Sequence, residues 1–103
     1  MLSPEIEEGN IEYKRYLLNL SLARKEELAT QMKWRLGEGN GTAFYYLGVE
    51  DDGSIYQLTK EQSKESIENI KIIIKKINAK LESIKIKKQS KKKYYICKII
   101  YEK

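Results

Sequence analysis

The chain has 103 residues, a single cysteine, no histidine and a formal net charge of +5. That length suits one domain burying roughly 65% of its unfolded surface, which leaves little room for a large catalytic cleft. The lone Cys97 excludes an internal disulfide, and the lack of histidine excludes a Ser-His-Asp or Cys-His centre and a His-based zinc site. The start, Met1-Leu2-Ser3-Pro4-Glu5, lacks an apolar signal core, and no run approaches the ~18 apolar residues of a membrane span. A cytoplasmic protein without membrane contact is expected.

In chain order, residues 1–10 lack periodicity and end in Gly9-Asn10, predicting an irregular arm ahead of one domain over 11–103. Ile11 to Leu18 is β-branched and aromatic, a first strand with Ile11, Tyr13 and Arg15 on one face and Glu12, Lys14 and Tyr16 on the other. Asn19 or Ser21 can cap a helix whose buried stripe is Leu28, Met32 and Leu36. Gly37, Gly39 and Gly41 can take the positive φ values that stop that helix and turn the chain. A hairpin follows, turning at Glu50-Asp51-Asp52-Gly53. Its first arm is apolar on both faces, so it should be a central strand.

Thr59 and Gln62 have capping-box spacing ahead of Ile67, Ile70, Ile74, Ile77 and Leu81, the clearest helical periodicity in the chain. Asn78 can take the left-handed position that stops it. Leu81 to Lys88 and Lys92 to Tyr101 are two further strands joined at Gln89-Ser90-Lys91. The order β-α-β-β-α-β-β predicts an α+β fold, a mixed sheet with two helices on one face. Because the sequence stops inside a strand, it reads as one domain of a longer protein.

Charge is segregated along the chain. Residues 1–70 hold 8 basic and 13 acidic side chains, whereas residues 71–103 hold 12 and 2. A basic terminal third points to a polyanionic partner, although its Lys, Ile, Asn and Tyr are also what an A/T-rich coding sequence yields. The densest cluster is Lys85, Lys87, Lys88, Lys91, Lys92 and Lys93, followed directly by Tyr94 and Tyr95. Lysines at a strand tip meet phosphates and a tyrosine stacks on an unpaired base, so this hairpin can bind RNA with little sequence preference. Equally, lysines guard an edge strand and tyrosines make cross-strand contacts. No DNA partner is expected.

Other single residues read as structural. Trp34 lies off the helix stripe and should pack beside the neighbouring strand, the alternative being an exposed stacking or partner surface. Cys97, alternating with Tyr95 and Ile99, should be a small buried apolar residue. No Gly-x-x-x-x-Gly-Lys-Ser/Thr motif occurs, and the glycine run after the first helix lacks its lysine and faces no helix N-terminus.

Several stretches carry a resemblance. Glu7-Glu8-Gly9-Asn10-Ile11-Glu12-Tyr13-Lys14, Thr30-Gln31-Met32-Lys33-Trp34-Arg35-Leu36, Glu38-Gly39-Asn40-Gly41 and Gly48-Val49-Glu50-Asp51 resemble the N-terminal region of the GTP-binding protein 1 family, translational GTPases similar to elongation factor 1-alpha. The matches span about the first 58 residues. The resemblance implies a non-catalytic accessory domain, with no cofactor of its own, in a protein whose GTPase domain lies beyond residue 103. The whole protein would bind GTP and Mg²⁺, hydrolyse GTP and act in translation elongation or messenger-RNA surveillance. Partners would be RNA or the ribosome and that GTPase domain, on which the sheet edge could dock. A weaker similarity links Glu7, Glu12 and Asp51 to the acidic triad of Schlafen-type domains, though Glu8 stands where those domains usually have Ser. It implies a metal-dependent endoribonuclease, against the plainer alternative of an acidic arm, a strand glutamate paired with lysine and a turn aspartate.

Overall fold

Ile11–Lys14 forms strand β1, which stops before the predicted Leu18. The backbone that would have prolonged it is bonded elsewhere: Leu17 N–H donates to Ser66 Oγ at 3.0 Å, and its carbonyl accepts from Asn69 Nδ2 at 2.8 Å. In this computed structural model, which describes residues 1–101, helix α1 follows at Leu22–Glu38. Ser21 caps it by accepting from the Arg24 N–H at 3.0 Å, while Asn19 turns the chain with φ 50°. Leu28, Ala29, Met32, Arg35 and Leu36 form its buried face.

The glycine run works differently from its sequence reading. Gly37 lies inside the helix and Gly39 has φ −106°, so only Gly41 of the three is left-handed, at φ 97°. Gly39 is needed because a Cβ there would overlap the Thr42 carbonyl and the Asn10 side chain. Strand β2, Thr42–Leu47, then runs up the middle of the sheet. The turn at Glu50 to Gly53 forms, but the predicted second arm shrinks to one antiparallel bridge between Val49 and Ile55. Gln57, at φ 65°, bends the chain away, and its Oε1 accepts from the Lys93 N–H at 2.8 Å.

Helix α2, Lys60–Lys75, opens with the complete Thr59–Gln62 capping box. Ile70, Ile73 and Ile74 are buried, whereas the predicted stripe members Ile77 and Leu81 lie beyond the helix end. Asn78 takes φ 54° and releases strand β3, Ala79–Gln89, with an irregular register between Leu81 and Ser83. Ser90 and Lys91, at φ 51° and 69°, make the tight two-residue connection to β4, Lys92–Tyr101. The order is thus β-α-β-α-β-β. Sheet order is β1-β2-β4-β3, with β1 parallel to β2 and the other pairs antiparallel.

Both helices cover the face that carries Ala43, Tyr45, Leu47, Cys97 and Ile99. On the other face Tyr13, Val49, Ile55 and Tyr94 form a smaller cluster, with Leu2 of the N-terminal arm packed against it. Cys97 is fully buried, which pushes its thiol up to about 12. Trp34 departs from expectation. It is 47% exposed and lies against solvent, with the Arg35 guanidinium 5.0 Å from its ring centre.

Arg35 joins the arm, α1 and β1. Its Nε donates to Glu12 Oε1 at 2.8 Å, and its two terminal nitrogens donate to the carbonyls of Gly9 at 2.8 Å and Ile6 at 3.1 Å. Arg35 and Glu12 are each 3% exposed, and Lys14 Nζ lies 3.5 Å from the other Glu12 oxygen. Removing one member of such a buried pair strands the other. Arg35→Ala should cost about 3–5 kcal/mol, and Glu12→Gln with Arg35→Met clearly less. Urea unfolding midpoints measure both, and equal losses would contradict the pairing argument.

Candidate nucleic-acid interface

The lysine cluster lies on the β3–β4 hairpin, and strand alternation divides it. Lys85 pairs in register with Ile96 and Lys87 with Tyr94, which places both lysines on the sheet face opposite the helices. Lys88 stands across from Lys93 with Lys91 and Lys92 beside them, all exposed at the hairpin end. Like charges directly opposite each other destabilise a ladder, so the hairpin end carries a local cost that an anionic partner would relieve. The same residues sit where β3 forms a sheet edge of 11 residues, a position that lysines guard against strand pairing.

The two tyrosines are placed differently from the lysines. Tyr94 is 8% exposed, its ring stacked on Tyr46 at 6.0 Å and 16°, and it belongs to the cluster under the arm. Tyr95 is half-buried on the helix side and packs against the main core. Neither therefore offers an unoccupied ring beside the hairpin end, which leaves that end a cluster of point charges.

The aromatic surface next to the lysines comes from β2, which the sequence reading did not single out. Phe44 lies between Ile11 on β1 and Lys98 on β4, and Tyr46 between Tyr13 and Ile96. With Lys85 and Lys87 these side chains line an open depression of about 590 Å³. The signal was present as an alternating Thr42-Ala43-Phe44-Tyr45-Tyr46-Leu47. Only the sheet order shows that its outward members meet the lysines.

The acidic candidates separate. Glu7 is exposed, Asp51 is exposed in its turn, and Glu12 is buried against Arg35. Among the described residues no group of three or more His, Cys, Asp or Glu side chains is placed to hold a metal ion. The acid that actually meets Glu12 is Glu5, which the sequence reading passed over. Its carboxylate accepts from the Tyr13 N–H, and it sits within hydrogen-bonding reach of the Glu12 side chain and near Asp51. Burial, reinforced by Glu12 and Asp51 against the opposing Tyr13 bond, pushes Glu5 from 4.5 up to about 7.

The chain is similar to GTP-binding protein 2 of Homo sapiens and of Mus musculus, 49% identical to each over 78 residues. That alignment takes in 76% of this chain but 13% of each relative, so the chain spans about an eighth of their length. An uncharacterized protein of Acanthamoeba polyphaga mimivirus is 38% identical over 77 residues, 74% of this chain and 41% of that protein. No protein-family model and no solved structure matches. Among the described residues no helix is long and apolar enough to cross a membrane.

The Glu5 shift has a testable sign. Between 4.5 and about 7 the folded chain keeps a proton that the unfolded chain has released, so this group's contribution to stability falls as pH rises through that window. Wild type should melt lower at pH 8 than its other carboxylates would dictate, and Glu5→Gln should flatten the decline between pH 5 and pH 8. Thermal unfolding followed by circular dichroism at both values checks this; parallel wild-type and Glu5→Gln profiles would contradict it.

Proposed function

We propose that this chain is an accessory domain of a GTP-binding protein, and that its lysine-rich hairpin contacts RNA or the ribosome. The observation that carries this is the 49% identity to 13% of GTP-binding protein 2, in a stretch with no phosphate-binding glycine motif. In this reading GTP and Mg²⁺ are held by a separate GTPase domain of the same polypeptide, with which the module works in the cytoplasm during translation elongation or messenger-RNA surveillance. The module itself performs no chemistry: Cys97 is buried with a raised thiol pKa, and the buried Glu12 is committed to Arg35.

Electrostatics support the choice of partner. Lys76, ahead of the β3–β4 hairpin, pairs with Glu26 at 2.7 Å, and within the hairpin Lys98 lies 3.5 Å from Glu82. The other lysines of the hairpin have no acidic neighbour within salt-bridge distance among the described residues. Point charges of this kind bind phosphates without reading bases.

Affinity for a short unstructured RNA should therefore fall roughly twenty- to fiftyfold between 50 and 200 mM salt, as ~3–4 phosphate contacts on a single strand require. Lys88→Glu with Lys92→Glu should weaken binding by a further fivefold or so and flatten the salt slope. Fluorescence anisotropy across the salt series measures both quantities. A salt-independent affinity, or one unchanged in the double variant, would overturn the RNA-contact reading.

A further inference from the structure

A sheet face that meets only water alternates to polar side chains. The face opposite the helices does not. Its rows run Ile11–Phe44–Lys98 and Tyr13–Tyr46–Ile96–Lys85, so apolar and aromatic groups occupy β1, β2 and part of β4, and they are bordered by Lys98 of β4 and by Lys85 and Lys87 of β3. Ile11, on the edge strand β1, is 40% exposed. The N-terminal arm covers only the end bearing Tyr13, Val49, Ile55 and Tyr94, where the Tyr13 hydroxyl donates to the Ser3 carbonyl at 2.8 Å.

We infer that this open face is a groove for single-stranded RNA, with a base packed on Phe44, whose ring unlike that of Tyr46 has no aromatic neighbour among the described residues, and the phosphates held by Lys85 and Lys87. The inference rests on the proposed RNA contact and assigns it a second, aromatic element away from the hairpin end. Charge complementarity selects the occupant. Of the groove's charged side chains, Lys98 is matched by Glu82 at 3.5 Å, whereas Lys85 and Lys87 have no acidic partner among the described residues. A ligand that fits must bring anions to β3 and a flat apolar group to β2, two strands or roughly 10 Å away. An unpaired nucleotide carries both, whereas a duplex keeps its bases stacked inside.

The groove also differs in kind from the hairpin end. Lysines 88, 91, 92 and 93 can hold phosphates of any strand, paired or not. A base taken up on Phe44 would confer a preference for single strands, which charge alone does not supply.

The test uses the 103-residue chain with a fluorescein-labelled unstructured decanucleotide RNA, its annealed duplex and the DNA of the same sequence. Phe44→Leu keeps an apolar side chain of similar size at a half-buried position, so the fold should survive; circular dichroism verifies it. Expected results are a loss of single-strand affinity of about fivefold or more in Phe44→Leu with an unchanged salt slope, and a shallower slope in Lys85→Gln with Lys87→Gln. Duplex RNA should bind several-fold more weakly than the single strand. If Phe44→Leu binds as wild type while Lys88→Glu with Lys92→Glu is impaired, the groove assignment fails and the hairpin contact stands. If wild type binds no RNA, both fall. Equal binding of duplex and single strand, a clear preference for the DNA, or self-association of the chain abolished by Phe44→Leu would each overturn the RNA assignment for this face.

Discussion

The Arg35 guanidinium is the constraint on which the arrangement of this chain depends. One planar group closes three polar ends at once, the Glu12 carboxylate on β1 and the carbonyls of Ile6 and Gly9 in the arm, and lies against the ring of Trp34 on its own helix. A lysine has the charge but not the fork, and could not serve the carboxylate and two carbonyls in that geometry. Because Arg35 sits on the buried stripe of α1 beside Met32 and Leu36, the register of the helix over the sheet and the position of the arm are set together. Burying such a pair is costly, so its value lies in selecting one arrangement. The exposed Trp34 follows from this, since its indole lies over the guanidinium as a partial lid.

With both helices on one face, the sheet has to find another use for its second face. β1 and β2 are short, and their outward residues Ile11 and Phe44 have no layer above them, while Tyr46 packs into the cluster under the arm. The arm reaches part of that surface by bonding Leu2 and Glu5 N–H groups to the Gly53 and Asp51 carbonyls, a contact close enough that a Cβ on Gly53 would overlap Leu2. What remains open is bordered by lysines from β3. Charge segregation along the sequence thus becomes charge segregation across one sheet face, because the basic third of the chain supplies the two strands at one side.

Local chemistry was legible in the sequence and long-range pairing was not. The Thr59–Gln62 box, the Ser21 cap, the left-handed Asn78, the central position of β2 and the buried Cys97 each depend on neighbours within a few residues or on simple alternation. The shortening of β1 depends on Ser66 and Asn69, polar residues on α2 that read as solvent-facing until Leu17 is laid against them. The second hairpin arm failed for a comparable reason, since Gln57 finds a partner in Lys93 from a strand more than thirty residues away. Glu12 was singled out as an acid, but nothing in its surroundings identifies an arginine 23 positions on as its partner. The lysines were found by density alone. Their aromatic neighbours were not, because Phe44 and Tyr46 are ordinary strand residues until sheet order brings β2 and β4 together.

The two faces of the sheet are not independent. Pro4, Ile6 and Gly9 of the arm line a second depression that shares Ile11 and Tyr46 with the lysine-bordered one, so the arm is one wall of a continuous surface. That wall is held from beneath, by Arg35 at Ile6 and Gly9 and by the Glu5 bond to Tyr13, beside the Glu12 carboxylate. Loss of the Glu5 proton adds a further negative charge beside Glu12 and Asp51, which works against the arm's attachment and leaves the hairpin untouched. The shape of the open face is therefore governed by an ion pair on the opposite side of the sheet and by the charge of one arm glutamate. The lysines that border it depend on neither, being carried by the β3–β4 hairpin.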